Sequence, residues 1–392
     1  MRFKIQTLNN ISIKGLERLP RDRFEVASEI GNPDAILVRS ADMHKIQIPD
    51  SVRAIGRAGA GTNNIPVEAL SKKGIPVFNA PGANANAVKE LVLAGMFLAA
   101  RNITQAWAFA KSQSGDDHAI DVAVEKGKKN FVGFELPGRT LGVIGLGAIG
   151  VEVANTALAL GMKVLGYDPQ ITVQRAWQLS SSVEQALSLD DLFVRSDVIS
   201  VHVPLTPETR GLVNEARLKL MRKNGVILNF ARAPIVDEKA VVTALDDGRL
   251  QGYVCDFPTN ATKDHPKIVT LPHLGASTAE AEDNCAIMVA DQVRDFLENG
   301  NVRNAVNFPE VSLPRRTSHR FICVNANVPN MLGQISDAFG QAGLNIHDMV
   351  NSSKGDMAYT LVDLDAPATD AIVKRITDIK GVLMARIVPA PR

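Results

Sequence analysis

Gly145, Gly147 and Gly150 stand as GxGxxG between a short apolar run, 141–144, and an alanine-rich stretch, 151–160, that reads as a helix. The first glycine permits a tight strand-to-helix turn, the second lets backbone approach a pyrophosphate, and the third lets helix pack closely on strand. Ala148 and Ile149 complete the turn, where the helix N-terminus offers N–H donors and the positive end of its dipole to phosphate. Asp168 closes the next apolar run, 163–167, eighteen residues past Gly150. A carboxylate there can bond a ribose 2′-hydroxyl and repels a 2′-phosphate, so the pattern predicts a dinucleotide site with NAD preferred to NADP.

In an open α/β sheet, ligands gather beyond the carboxyl ends of the strands, which directs attention to the residues just past each apolar run. Arg39 and Ser40 follow 35–38, Arg57 and the turn with Gly59 and Ala60 follow 53–55, and Asn79 follows 76–78. Backbone N–H groups of a glycine turn can hold a carboxylate, and two arginines can hold a second anion such as phosphate. Arginines at strand ends are also commonly solvated or paired to surface acids, and that reading stays open here. Arg232 follows 225–229 and His273 follows 268–270. A guanidinium stays charged and can fork onto a carboxylate, while an imidazole exchanges a proton near neutral pH, so the pair suits oxidation of a hydroxy acid. His202, in SVHVPLT, is expected to line the cofactor crevice instead.

These residues need a scaffold. Apolar runs alternating with helical stretches (86–100, 215–221, 238–246) continue from residue 35 to residue 270 and predict a doubly wound parallel sheet. A long amphipathic helix, 278–298, is expected to return the chain to its first domain, leading into a short strand and a proline-marked turn in NVRNAVNFPEV. Beyond the linker 312–318 (SLPRRTS), the tail reads as βαββαβ, a ferredoxin-like unit. A chain of 392 residues exceeds one ordinary core, so two or three domains are expected. Its 43 basic and 42 acidic residues give a net charge of +1, which argues against a general nucleic-acid or membrane surface. With no signal-like start and no apolar run of membrane-spanning length, a soluble cytoplasmic protein is expected. Cys255, Cys285 and Cys323 lack CxxC pairing and read as small buried hydrophobes, and no metal site is expected.

Taken together, GLGAIG with Asp168, HVPLTPET, NFARAPIVDE and PHLGAST resemble the NAD-dependent D-2-hydroxyacid dehydrogenase family over most of residues 1–310. LVRS at 37–40, GRAGAGTNNI at 56–65 and NAPGANANAVKELVLAG at 79–95 narrow the resemblance to its D-3-phosphoglycerate dehydrogenase branch, which opens serine biosynthesis. The resemblance implies a flavodoxin-like substrate-binding domain, 1–98 and 280–311, into which a Rossmann-type NAD domain, 99–279, is inserted. It implies that Arg39 and Arg57 approach a substrate phosphate, that Gly59 and Ala60 hold the carboxylate, and that Arg232 and His273 are catalytic. His202, Val203, Pro204, Thr206, Phe230, Ala231, Asp256, His273, Gly275 and Ala276 would line the nicotinamide side. The family glutamate that pairs with the catalytic histidine aligns with Ala261, and Asp264 is the candidate to replace it. The tail, 319–392, resembles an ACT domain, a regulatory module that binds amino acids at dimer interfaces, with Asn325, Asn327 and Asn345 as candidate effector contacts. Asn325 and Asn330 depart from the serine-binding pattern, so a module that serves only oligomerisation remains an alternative.

The implied reaction oxidises 3-phospho-D-glycerate in a cleft between lobes, in a homo-oligomer. The alternatives are reduction of an unphosphorylated 2-keto acid (hydroxypyruvate, glyoxylate or 2-oxoglutarate), or an NAD-sensing regulator without turnover.

Overall fold

A computed structural model describes residues 2–390. Three sheets organise the chain. The first has five parallel strands: Phe24–Ala27, Phe3–Leu8, Ala35–Val38, Ala54–Arg57 and Val77–Phe78, in that spatial order. The two N-terminal strands were not expected. Phe3–Leu8 interleaves the polar residues Lys4, Gln6 and Thr7 with apolar ones and buries only Ile5 fully, so it lacks the continuous apolar run of its neighbour Ala35–Val38.

The second sheet has seven parallel strands, ordered Ile268–Thr270, Leu250–Cys255, Gly225–Asn229, Val198–Val201, Thr140–Ile144, Lys163–Tyr167 and Glu184–Gln185. Strand order reverses direction between Val198–Val201 and Thr140–Ile144, which is where such sheets open a crevice. The third sheet, antiparallel, runs Ile346–Lys354, Met357–Leu364, His319–Ala326, Val382–Val388 and carries helices Met331–Gln341 and Asp370–Thr377. This is the ferredoxin-like βαββαβ order.

The described residues form two compact units, 2–84 with 278–390, and 85–277. The boundary near residue 98 is therefore displaced. Helix Ala85–Ala100 belongs to the second unit because Val88, Val92 and Met96 join the core of the seven-stranded sheet. Gly95 makes that packing possible, since a Cβ there would lie 2.9 Å from the Phe230 ring.

In the first unit, helix Ala279–Asn299 lies against the five-stranded sheet, with Val289 and Val293 filling the space that Gly56 leaves. The tail is not a separate globule. One sheet face, with Ile322, Val324, Tyr359, Leu361 and Val388, shares a core with Phe296, Val302, Phe308 and Leu313. Arg320 and Asp363 form a fully buried bidentate pair, with Nε–Oδ1 at 2.6 Å and Nη2–Oδ2 at 2.8 Å. Arg320 Nη1 also donates to the carbonyls of Asn299 and Leu313, which ties the tail to the end of the long helix. The short strand expected in NVRNAVNFPEV reduces to isolated bridges, Val302 with Val311 and Ala305 with Phe78.

All three cysteines are buried and free. Among the described residues no helix is long and apolar enough to cross a membrane, and no cluster of three metal-ligating side chains occurs.

Candidate active site

The parallel register of the seven-stranded sheet places the candidate residues of the second unit along one edge. Tyr167 pairs with Ile144, Ile144 with Val201, Val201 with Asn229, Asn229 with Cys255, and Cys255 with Thr270. One to three residues beyond that row stand Asp168, Gly145, His202, Arg232, Asp256 and His273.

Around Gly145 the backbone fits a dinucleotide. Gly145 adopts φ 91°, and a Cβ on it would lie 2.7 Å from the His202 carbonyl oxygen. A Cβ on Gly150 would lie 1.9 Å from the Gly145 carbonyl oxygen, so helix Ala148–Ala159 approaches the turn as only glycine permits. Gly147, by contrast, is exposed, and nothing lies within 4 Å of where its Cβ would be. That open space beside a helix N-terminus suits a pyrophosphate. Asp168 accepts from Leu146 N at 2.8 Å and from Gln170 N at 2.9 Å, which locks its carboxylate to the glycine turn. Each oxygen keeps a lone pair for a ribose hydroxyl.

His202 Nε2 lies 2.8 Å from the buried Ser200 hydroxyl, and burial pushes the imidazole down to about 4. The imidazole is therefore neutral at pH 7. After it, Thr209 Oγ1 bonds the Pro204 carbonyl and the Thr206 amide, closing the HVPLT segment into a turn that carries Val203, Pro204 and Thr206. The Phe230 side chain is buried in the core of the seven-stranded sheet, its ring over Gly95, instead of facing the expected cofactor side.

Arg232 is exposed and begins a short turn of helix, Ala233–Ile235, with its Nη1 donating to Ala231 O at 2.6 Å. Asn229, fully buried at the strand end, fixes this corner by accepting from Ala231 N at 3.1 Å and donating to Arg232 O at 3.0 Å. The sequence reading passed over Asn229, although an asparagine at a strand end ahead of a turn is a local signal for such bonds.

His273 is exposed and adopts φ 54°, a left-handed conformation uncommon for a residue with a side chain. Asp256 holds it there. The buried Asp256 carboxylate accepts from Leu274 N at 2.8 Å and Gly275 N at 2.7 Å, while its carbonyl accepts from His273 N at 3.1 Å. Asp256 thus braces the loop with Gly275 and Ala276, instead of exposing its carboxylate along the nicotinamide side. Phe257 meets the imidazole edge-on, with ring centroids 5.2 Å apart.

Asp264 does not replace the missing glutamate. Its side chain is 85% exposed and lies 3.9 Å from Lys263, because Thr259 and Thr262 bond each other and curl the intervening segment into a turn of its own. Among the described residues the His273 imidazole has no hydrogen-bond or ion-pair partner, so its orientation rests on the loop and on Phe257.

The candidate anion residues form a second cluster, within the first unit. Val38 pairs with Arg57, and Gly56 with Phe78, so Arg39, Arg57 and Asn79 leave one sheet edge together. Gly59, at φ 151°, leaves the space that Arg57 Nη1 occupies, 1.6 Å from where a Cβ would be. Asn79 Nδ2 donates to Ala60 O at 2.6 Å, and Ala80 N donates to Gly59 O at 2.9 Å, fixing the turn. Ser40 and Ala41 donate their backbone N–H groups to Asn9 Oδ1, a brace absent from the sequence reading. Arg39 is ion-paired to Glu282.

The candidate effector residues are not brought together within the chain. Asn325 pairs with Ala358, whereas Ile346, next to Asn345, pairs with Leu364 and through it lies level with His319. Six residues of strand separate the two levels, about 20 Å at the rise of an extended chain. Asn325 is 2% exposed and its Oδ1 lacks a partner, while Asn327 Nδ2 donates to Gly355 O at 3.2 Å.

Comparison with known proteins agrees with this geometry. The family described as D-isomer specific 2-hydroxyacid dehydrogenase, NAD binding domain, matches residues 93–275. The chain is similar to the D-3-phosphoglycerate dehydrogenase of Methanocaldococcus jannaschii, at 40% identity over 296 residues, 73% of this chain and 54% of that one. It is also similar to the D-3-phosphoglycerate dehydrogenase of Haemophilus influenzae, at 33% identity over 357 residues, 87% of this chain and 82% of that one. The chain thus spans about half the length of the first relative and about four-fifths of the second. A solved structure of NAD+-bound 3-phosphoglycerate dehydrogenase from Entamoeba histolytica superposes with a TM-score of 0.59 at 28% identity, covering 78% of this chain and 99% of that one.

Proposed function

The chain belongs to the D-isomer specific 2-hydroxyacid dehydrogenases, and from that premise we propose that it oxidises 3-phospho-D-glycerate to 3-phosphohydroxypyruvate, the first step of serine biosynthesis. The cofactor is NAD, held by the turn at Gly145, Gly147 and Gly150 and by Asp168. When bound, NAD supplies the hydride acceptor for C2. Arg232 binds the substrate carboxylate and polarises the oxygen on C2, while His273 takes the proton of the C2 hydroxyl, or returns it in the reductive direction. Asn229 holds the Arg232 corner and Asp256 the His273 loop, at the same end of strands that flank Leu250–Cys255. Arg39 and Arg57 take the phosphate, with the Gly59 and Ala60 turn offering N–H groups to the carboxylate.

The observation that carries the phosphorylated substrate is the emergence of Arg39 and Arg57 at the same end of two paired strands, one residue out of step. Replacement of either by alanine should raise KM for 3-phosphohydroxypyruvate by about tenfold or more and leave KM for glyoxylate little changed. Equal effects on both substrates would return these arginines to a structural role.

We also propose that the enzyme works in the cytoplasm as a homo-oligomer. The helices Ile103–Ser112 and Asp117–Gly127 expose Ile103, Trp107 and Val122, which supports an apolar face for a second copy. The ferredoxin-like tail would act as an ACT-type module for an amino-acid effector, with Asn325 and Asn327 contributed by one copy and Asn345 by another. Serine added to the assay tests this, since a module used only for assembly leaves the rate unchanged.

A further inference from the structure

Arg39 does not stand alone at the sheet edge. Helix Ala279–Asn299 is seated on strand Ala54–Arg57 by Val289 and Val293 against Gly56, which brings its first turns to the end of the strand where the arginines emerge. Glu282, in the first turn, holds Arg39 Nη2 with Oε1. The pair is partly open, with side-chain exposures of 38% and 40%, so an arriving anion can reach it. One turn further along, burial pushes the Cys285 thiol up, with Arg57 and Arg39 pulling it down and Glu282 pushing it up, so these charges act on the same part of the helix. Arg39 and Arg57 thus bring positive charge to this end of the strands, and Glu282 brings negative charge to Arg39.

Resting on the activity proposed above, we propose that Glu282 is a counter-charge that sets how tightly the substrate phosphate is held. A guanidinium has five N–H donors, and one carboxylate oxygen leaves most of the fork free for phosphoryl oxygens. The same carboxylate neutralises part of the charge that Arg39 brings and so weakens its hold on the phosphate. Phosphate is present in substrate, transition state and product alike, so binding it more tightly would lower KM without accelerating the chemical step and would slow product release.

The test compares wild type, Glu282→Gln, Arg39→Ala and the double variant. Readouts are KM for 3-phosphohydroxypyruvate, its ratio to KM for hydroxypyruvate, and the inhibition constant of inorganic phosphate. Glutamine keeps the acceptor oxygen and removes the charge. Glu282→Gln should lower both the phosphate inhibition constant and the KM ratio by about two- to fivefold, the range for half-exposed charges, and the shift should vanish in the Arg39→Ala background. An unchanged or raised phosphate inhibition constant, or a shift that persists without Arg39, overturns the inference. A wild type that shows no preference for the phosphorylated substrate, together with an Arg39→Ala variant that changes nothing, overturns the activity reading itself and this inference with it.

Discussion

His273 sits in left-handed backbone, which costs a residue with a Cβ about 1–2 kcal/mol, and it persists because Asp256 accepts both following N–H groups. Asp256→Ala should therefore release the loop and lower kcat by about tenfold or more, with a drop in thermal midpoint. Steady-state kinetics and a melting curve on one preparation check this, and an unaltered kcat would mean that the loop holds itself. His202 carries a pH prediction. Its imidazole titrates near 4 when folded and near 6.5 when unfolded, so below pH 6.5 the unfolded chain takes up a proton that the folded chain does not. The stability it contributes is complete above pH 6.5 and is lost as pH falls toward 4, by up to about 3 kcal/mol. Urea midpoints at pH 7.5 and 4.5 should differ less in His202→Gln than in the wild type. At this scale the sequence named Arg232 and His273 from their places after apolar runs. It could not reveal the φ of His273, or that Asp264 curls away with Thr259 and Thr262, since both depend on how a loop closes on itself.

Gly147 and Gly150 belong to one motif and respond oppositely to a methyl group. At Gly150 a Cβ would collide with the Gly145 carbonyl at 1.9 Å, whereas at Gly147 it would meet open space. Gly150→Ala should thus unfold the turn and lower the thermal midpoint, with loss of NADH binding. Gly147→Ala should leave the midpoint unchanged and weaken NADH by about tenfold or more, because the methyl occupies the pyrophosphate position. NADH fluorescence titration beside calorimetry separates the two. Elements that are mostly apolar, such as Val198–Val201 and Gly225–Asn229, were legible because every residue in them is buried. Helix Ile103–Ser112 was not, since none of its residues is buried and periodicity had nothing to record. Helix Ala85–Ala100 was legible as a helix, but its unit was not, because Gly95 against Phe230 is a contact between distant parts of the chain.

Across the whole chain, the parallel sheets and the βαββαβ tail could be read from alternation, while the shared core of tail and first unit could not. That join depends on Arg320 and Asp363, which are buried together and separated by 43 positions. Removal of one partner strands a buried charge, so Asp363→Ala should cost about 3–5 kcal/mol, while a double replacement by Met and Leu should cost much less. Urea denaturation of the two variants checks this, and equal losses would mean that the pair acts through packing alone. The central claim concerns the whole enzyme, and the most direct test is steady-state NADH oxidation with 3-phosphohydroxypyruvate beside hydroxypyruvate, glyoxylate and 2-oxoglutarate. The account predicts a kcat/KM for the phosphorylated substrate at least about a hundredfold above the others, as two arginines on a phosphate imply. An unphosphorylated keto acid used equally well, or NADH binding without turnover on any of the four, would contradict it.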